Sequence, residues 1–250
     1  MKKIYLLIIL LLGVVKIGMA ASGKEAADMA YQENNYKLAI ELYQTVLNEE
    51  GESAAVYYNL GNSYFKLDSI SKAILNYERA LLLDPNDEET LFNLEMAKSK
   101  TIDKIVPKSQ IFIKSWIDSI VSVMNERGWA EFSIFSFIVF LSCLATYIFS
   151  KKIVIKKIGF SLAVMFLIFV ICGNIFGRQQ KTKMIERNYG IVIEPTVTIR
   201  STPNESGTEL FVIHEGVKVF IEDNTMKSWK EISLEDGNRG WIQAEMIEII

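Results

Sequence analysis

Residues 132–150 and 158–177 carry no charged side chain, and only the segment KKIVIKK separates them. Each run is long enough to cross a hydrocarbon layer about 30 Å thick. Lipid offers the backbone no hydrogen-bond partner, so such runs must be helices. The chain is therefore expected to carry a two-helix transmembrane hairpin, with spans at 130–150 and 157–177 and a tight basic loop. Trp129 and Tyr147 flank the first span at the depth where aromatic belts form. Half of all residues are apolar and the mean hydropathy is +0.20. Because the apolar residues cluster in blocks, what remains is read as small water-exposed modules around the hairpin.

The third apolar block is MKKIYLLIILLLGVVKIGMAAS. Lys2 and Lys3 precede an apolar core at 4–15, and small residues surround Ala20. This is the pattern of a secretory signal peptide, read as 1–20, with an uncleaved anchor as the alternative. Lysines occur on both sides of the hairpin, so loop charge does not orient it. Export of the N-terminal segment does. Residues 22–130 and everything after the second span then lie on the exported side, and only 151–157 face the cytoplasm. The two cysteines, Cys143 and Cys172, fall inside the spans, so the exported modules are expected to lack a disulfide. The single histidine, His214, has no cysteine near it and no visible acid partner. It reads as a surface or turn residue, and no metal site or cofactor is expected.

Between the first and second blocks the chain repeats. Ala39 and Ala73, Tyr43 and Tyr77, Asn59 and Asn93, and Leu60 and Leu94 are each 34 residues apart. A fixed period of that size marks an array of helical pairs. The stretch YYNLGNSYFKLDSISKAILNYERALLLDP resembles the tetratricopeptide repeat family. Tyr57, Leu60, Gly61, Tyr64, Ala73, Tyr77, Ala80 and Pro85 fall at its signature positions. Gly61 costs a helix about 1 kcal/mol relative to Ala, which is acceptable if a side chain there would hold the paired helices apart. The resemblance implies an all-α solenoid of about 2.5 repeats over 22–100. Its third unit has one helix, with Glu95 in the glycine position. In this family the first helix of each unit lines the concave face. That face would carry Tyr58, Asn59, Asn62, Phe65 and Lys66, continued by Phe92, Asn93 and Met96. The asparagines either grip the amides of an extended peptide or simply solvate the helices.

Residues 108–127 have apolar side chains at spacings of three and four, including Phe112, Trp116, Ile120 and Val123. This predicts an amphipathic helix, lying in the membrane interface or docked on the repeats. From residue 188 onward the chain changes to short alternating runs rich in Val, Ile and aromatics, punctuated by Gly, Pro, Asn and Asp. EDGN is a hairpin turn signal. The segment with Thr198, Ile199, Arg200, Pro203, Gly216, Gly240 and Trp241 is similar to bacterial SH3-like domains, which implies an all-β SH3-like barrel over 188–250. Trp229 and Trp241 are either barrel core or a surface platform for a ligand.

Signal peptide, short repeat array, membrane hairpin and SH3-like module, in that order, resemble the BatE family of the Bacteroides aerotolerance operon. The resemblance implies a bacterial inner-membrane protein with both soluble modules periplasmic. It further implies a scaffold for von Willebrand factor A-domain membrane proteins, linked to stress or oxygen tolerance. A tether in which the SH3-like module binds peptidoglycan is the alternative. Residues 22–100 carry 14 acidic against 7 basic side chains, and residues 188–250 carry 11 against 5. Nucleic acid needs a basic stripe and is not expected as a partner. No nucleophile, paired-acid site or phosphate loop appears, so the reading is a binding protein and not an enzyme.

Overall fold

The computed structural model describes residues 23–106 and 112–250, and the expected signal peptide at 1–20 lies outside them. Five helices come first: α1 (Gly23–Gln32), α2 (Tyr36–Glu50), α3 (Ala54–Lys66), α4 (Ile70–Leu83) and α5 (Glu88–Ser99). They stack as α1/α2, α3/α4 and a lone α5. The turns inside the two complete pairs use the same device one period apart. Asn34 and Asp68 adopt positive φ angles of 60° and 57°, a conformation that short polar side chains tolerate best among non-glycine residues. Ala27, Ala39, Tyr43, Val56, Leu60, Ala73, Tyr77 and Ala80 are buried between the helices. A Cβ placed on Gly61 would stand 2.7 Å from the Tyr77 ring, so only glycine lets α3 approach α4 this closely. Helix α4 ends at Leu83, and Pro85 follows in the turn.

Helix α6 spans Phe112–Val121, inside the expected 108–127; Glu126 and Arg127 instead open α7 (Glu126–Phe149), capped by the Asn125 side chain. Helices α7 and α8 (Ile153–Glu186) pack as an antiparallel hairpin, and both are long and apolar enough to cross a membrane. Gly159 and Gly173 of α8 abut the Cys143 carbonyl and the Ser133 side chain of α7, where a Cβ would have only 3.1 and 3.2 Å. The outward faces are strongly apolar; Phe149 is 82% exposed. At 1.5 Å per residue, the 34 residues of α8 extend about 51 Å. The helix therefore continues well past the expected span end at 177. Its extension binds α6: buried Gln180 donates to the Val121 and Met124 carbonyls at 3.0 and 3.1 Å, and the Trp129 indole donates to Val121 at 2.9 Å.

The C-terminal region is a seven-stranded antiparallel sheet. Its strands are β1 (Tyr189–Val192), β2 (Thr196–Arg200), β3 (Glu209–His214), β4 (Lys218–Asp223), β5 (Trp229–Ser233), β6 (Arg239–Gln243) and β7 (Ile247–Ile249), in the order β3-β2-β6-β5-β4-β1-β7. Val197, Ile199, Ile213, Val219, Ile221, Ile232 and Ile242 form its core. The β5–β6 turn is the expected EDGN, with Gly237 at φ 91°.

Stack and sheet share a core. Ile191 of β1 and Ile250 sit in one core with Ala73, Ile74, Tyr77, Leu94 and Ala97. Gly216, at φ 86°, turns so tightly against the stack that a Cβ would meet Thr101 at 2.6 Å and Ile74 at 3.1 Å. At the centre of this junction the buried carboxylate of Glu78 accepts from Lys98 of α5 at 2.8 Å and from Lys218 of β4 at 2.6 Å. Burial opposes its charge, but Lys218 and then Lys98 prevail and hold its pKa at about 2. Beside it Arg79 donates to Glu248 at 3.0 Å and to the Ile249 carbonyl at 2.5 Å, and Ser71 donates to Glu215 at 2.7 Å.

Two outcomes are expected for the full chain in detergent. Gly61→Leu forces α3 off Tyr77 and lowers unfolding stability by about 1–3 kcal/mol in a denaturant titration; an unchanged midpoint contradicts this packing. For Glu78, the folded pKa lies below the ordinary value of 4.5, so its contribution is complete above that pH and declines as pH falls toward 2. Glu78→Gln removes this acid dependence from the melting curve and leaves the half-buried Lys98 and Lys218 without their counter-charge, at a cost of about 1–3 kcal/mol.

Candidate functional site

The first helices α1, α3 and α5 lie side by side, and their shared face is where the expected groove residues fall. The structure ties several of these residues to one another. Tyr43 donates its hydroxyl to Asp28 at 2.7 Å, and Asn59 donates its amide to the same carboxylate at 3.2 Å. One period later Tyr77 donates to the Asn62 oxygen at 2.7 Å, and Asn93 donates to that oxygen at 3.0 Å. Each node joins a first helix, its own second helix and the next unit's first helix. The nodes repeat because Asp28 and Asn62, Tyr43 and Tyr77, and Asn59 and Asn93 are each 34 residues apart. Met96 takes the acceptor position in unit three, so the ladder stops there.

The electrostatics of the first node are one-sided. Burial opposes the Asp28 charge, but Lys24, Tyr43 and Asn59 together hold its carboxyl below the usual range. Burial, reinforced by Asp28, pushes the Tyr43 hydroxyl up, and burial does the same to Tyr77. Both phenols stay protonated donors. Asn59, Asn62 and Asn93 therefore spend part of their capacity between units and keep the rest. The Asn59 and Asn93 oxygens and the Asn62 amide have no partner among the described residues.

The remaining groove residues differ in availability. Tyr58 donates to Glu89 at 3.3 Å and accepts from Asn93 at 3.2 Å. Phe65 is half-buried, with Lys100 4.6 Å above its ring. Lys66 is exposed, and Phe92 is 63% exposed. Among the described residues the face thus offers an aromatic ring, an ammonium and amide groups without a protein partner. No cluster of three metal-ligating side chains occurs among the described residues.

On the sheet, Trp229 and Trp241 are not core. They alternate with buried Ile232 and Ile242, which puts both on the outer face. Trp229 lines a cavity of about 390 Å3 with Thr196, Thr198, Arg200 and Gln243. His214 does have an acid partner, contrary to expectation: Asp103 lies 3.2 Å from Nδ1 and accepts from the His214 backbone N–H at 2.6 Å. The two are 111 residues apart, and no local pattern links them. Asp28 was legible only through the repeat, as the residue one period before Asn62. Glu78 and Arg79 carry no sequence signal of their interface role.

A repeat stack of this kind supports a role as a protein–protein interaction scaffold. The tetratricopeptide repeat family model matches residues 54–87, which are α3, α4 and the turn after them. Sperm-associated antigen 1 of Rattus norvegicus is 27% identical over 95 residues, covering 37% of this chain; the chain spans 11% of that protein's length.

The ladder makes a stability prediction. Asn62→Ala leaves the nearly buried Tyr77 hydroxyl and the Asn93 amide without their acceptor and costs about 1–3 kcal/mol. Asn59→Ala costs less, because Asp28 keeps Tyr43 and Lys24. Equal midpoints for the two variants in urea would show that the nodes do not couple the units.

Proposed function

We propose that this protein is a membrane-anchored scaffold that captures partner proteins on the face formed by α1, α3 and α5. The observation that carries the proposal is that face itself: a tetratricopeptide stack whose first helices present Lys66, Phe92 and free amide groups, while the opposite side of α4 is committed to the sheet. The lipid-compatible exteriors of α7 and α8 support the anchor, since such apolar surfaces are unfavourable in water. Resemblance to the BatE family supports a bacterial inner-membrane location, a periplasmic orientation of both soluble regions, and von Willebrand factor A-domain membrane proteins as partners. The stress or oxygen-tolerance link rests on the same resemblance. The sheet is read as SH3-like on its Thr198–Pro203 and Gly240–Trp241 motifs. Its outer Trp229 cavity, with two threonine hydroxyls, a guanidinium and an amide, supports a second reading in which the sheet binds cell-wall material.

The test is crosslinking capture from native membranes with the tagged full chain. Lys66→Ala combined with Phe92→Ala touches the first-helix face without cutting the Asn–Tyr ladder. It is expected to reduce partner recovery at least tenfold while leaving the melting temperature unchanged. Recovery equal to the unmodified chain would mean that partners bind elsewhere.

A further inference from the structure

A second trough lies on the other side of the stack. Helices α2 and α4 form its walls, α3 forms its floor, and Glu248 of β7 closes one end; its volume is about 400 Å3. The floor carries Tyr57 and Tyr64, seven residues apart. The α4 wall carries Lys72 and Arg79, also seven apart, with Asn76 between them. Each cation leans over one ring: Lys72 Nζ is 5.7 Å from the Tyr64 centroid, and the Arg79 guanidinium is 5.8 Å from that of Tyr57. Two helical turns separate the cations by about 10 Å along the axis. The facing wall supplies the amides of Gln44 and Asn48.

Three features point to a ligand. Lys72 is exposed and has no hydrogen-bond or ion-pair partner among the described residues. Asn76 is only 3% exposed; its amide donates to the Lys72 carbonyl at 2.8 Å and its oxygen has no partner. The Arg79 Nε–H is likewise buried and unpaired, although its Nη2 is bound by Glu248 and Ile249. Unpaired buried polar atoms are rare in folded proteins, and here an acceptor and a donor stand in the wall of one cavity. Both are covered by neighbouring groups, and Lys72 beside them is exposed and unpartnered.

We propose that this trough is a binding site for an extended peptide segment bearing acidic side chains. Carboxylates pair with Lys72 and Arg79, main-chain N–H groups reach Asn76, and Gln44 and Asn48 bracket the opposite edge of the backbone. The distance between the cations matches one turn of a polyproline II-like extended segment, three residues at roughly 3.1 Å each, which returns side chains three positions apart to one face. Side-chain amides on both walls with tyrosines beneath suit a peptide backbone better than a compact anion, which needs only the cations. This site is on the opposite side of the stack from the first-helix face and does not depend on that face binding anything.

The experiment is fluorescence anisotropy on the full chain in detergent micelles. The probe is a labelled glycine hexapeptide with two glutamates three positions apart, and the control carries glutamines instead. The glutamate peptide is expected to bind at least tenfold tighter than the glutamine one. Lys72→Glu, at an exposed position, is expected to weaken it at least tenfold with an unchanged melting temperature. Lys66→Ala with Phe92→Ala should leave it unaffected, which separates this site from the first-helix face. Equal binding of the two peptides, or undiminished binding to Lys72→Glu, overturns the proposal. Displacement by succinate at the peptide's own molar affinity also overturns it, because the trough would then be a small-acid site.

Discussion

Helix α4 is enclosed on most of its surface. Of residues 71–78 only Lys72 is exposed, because α3 and α5 cover one flank and the sheet covers another. A helix enclosed this way can carry a charge only if the charge is paired, and Glu78 is paired twice, to Lys98 within the stack and to Lys218 on the sheet. The carboxylate thus links three elements that the chain order separates by up to 140 residues. Removing either lysine would leave a buried charge under-compensated, so stack and sheet are bound by mutual electrostatic need as well as by the shared core of Ile74, Ile191 and Ile250.

The same economy joins this body to the apolar hairpin. Helix α8 runs without a break from its apolar segment to Glu186. Arg187 then turns with φ 42°, and its guanidinium binds Glu52 in the loop between α2 and α3. That hydrogen bond outweighs partial burial and holds the Glu52 carboxyl below its usual range. At the base of the extension, the Val121 carbonyl accepts from both Trp129 and Gln180, so α6, α7 and α8 meet at one point. A flexible linker would decouple the soluble body from the hairpin; a continuous helix with an ion pair at its tip keeps their orientation.

With α4 packed against the sheet, the partner surfaces proposed for the stack are the first-helix face and the trough between α2 and α4. The two differ in chemistry. The first-helix face is braced by a repeating Tyr–acceptor–Asn node and exposes an aromatic ring and one ammonium. The trough sets two cations over two tyrosines and leaves an amide oxygen unpaired. A scaffold with two dissimilar surfaces can hold two different segments at once, and the rigid junction would fix the spacing between them.

What the sequence determined by itself is what depends on local periodicity. The uncharged runs specify two long apolar helices, the 34-residue period specifies the helical pairs, and Gly61 marks a close crossing because no other residue fits against the Tyr77 ring. The alternating Val and Ile runs specify strands, and EDGN specifies a turn. Each follows from neighbours within a few residues or from one repeated spacing. Only the tertiary structure decided the rest. It tied the Asn59 and Asn93 amides between units, placed Trp229 and Trp241 on the outer face of the sheet, and gave His214 its partner Asp103. It also fused stack and sheet through Glu78. These outcomes depend on which distant surfaces meet. Apolar burial drives such meetings without direction, and no pattern within a single element encodes the pairing of two charges more than a hundred residues apart.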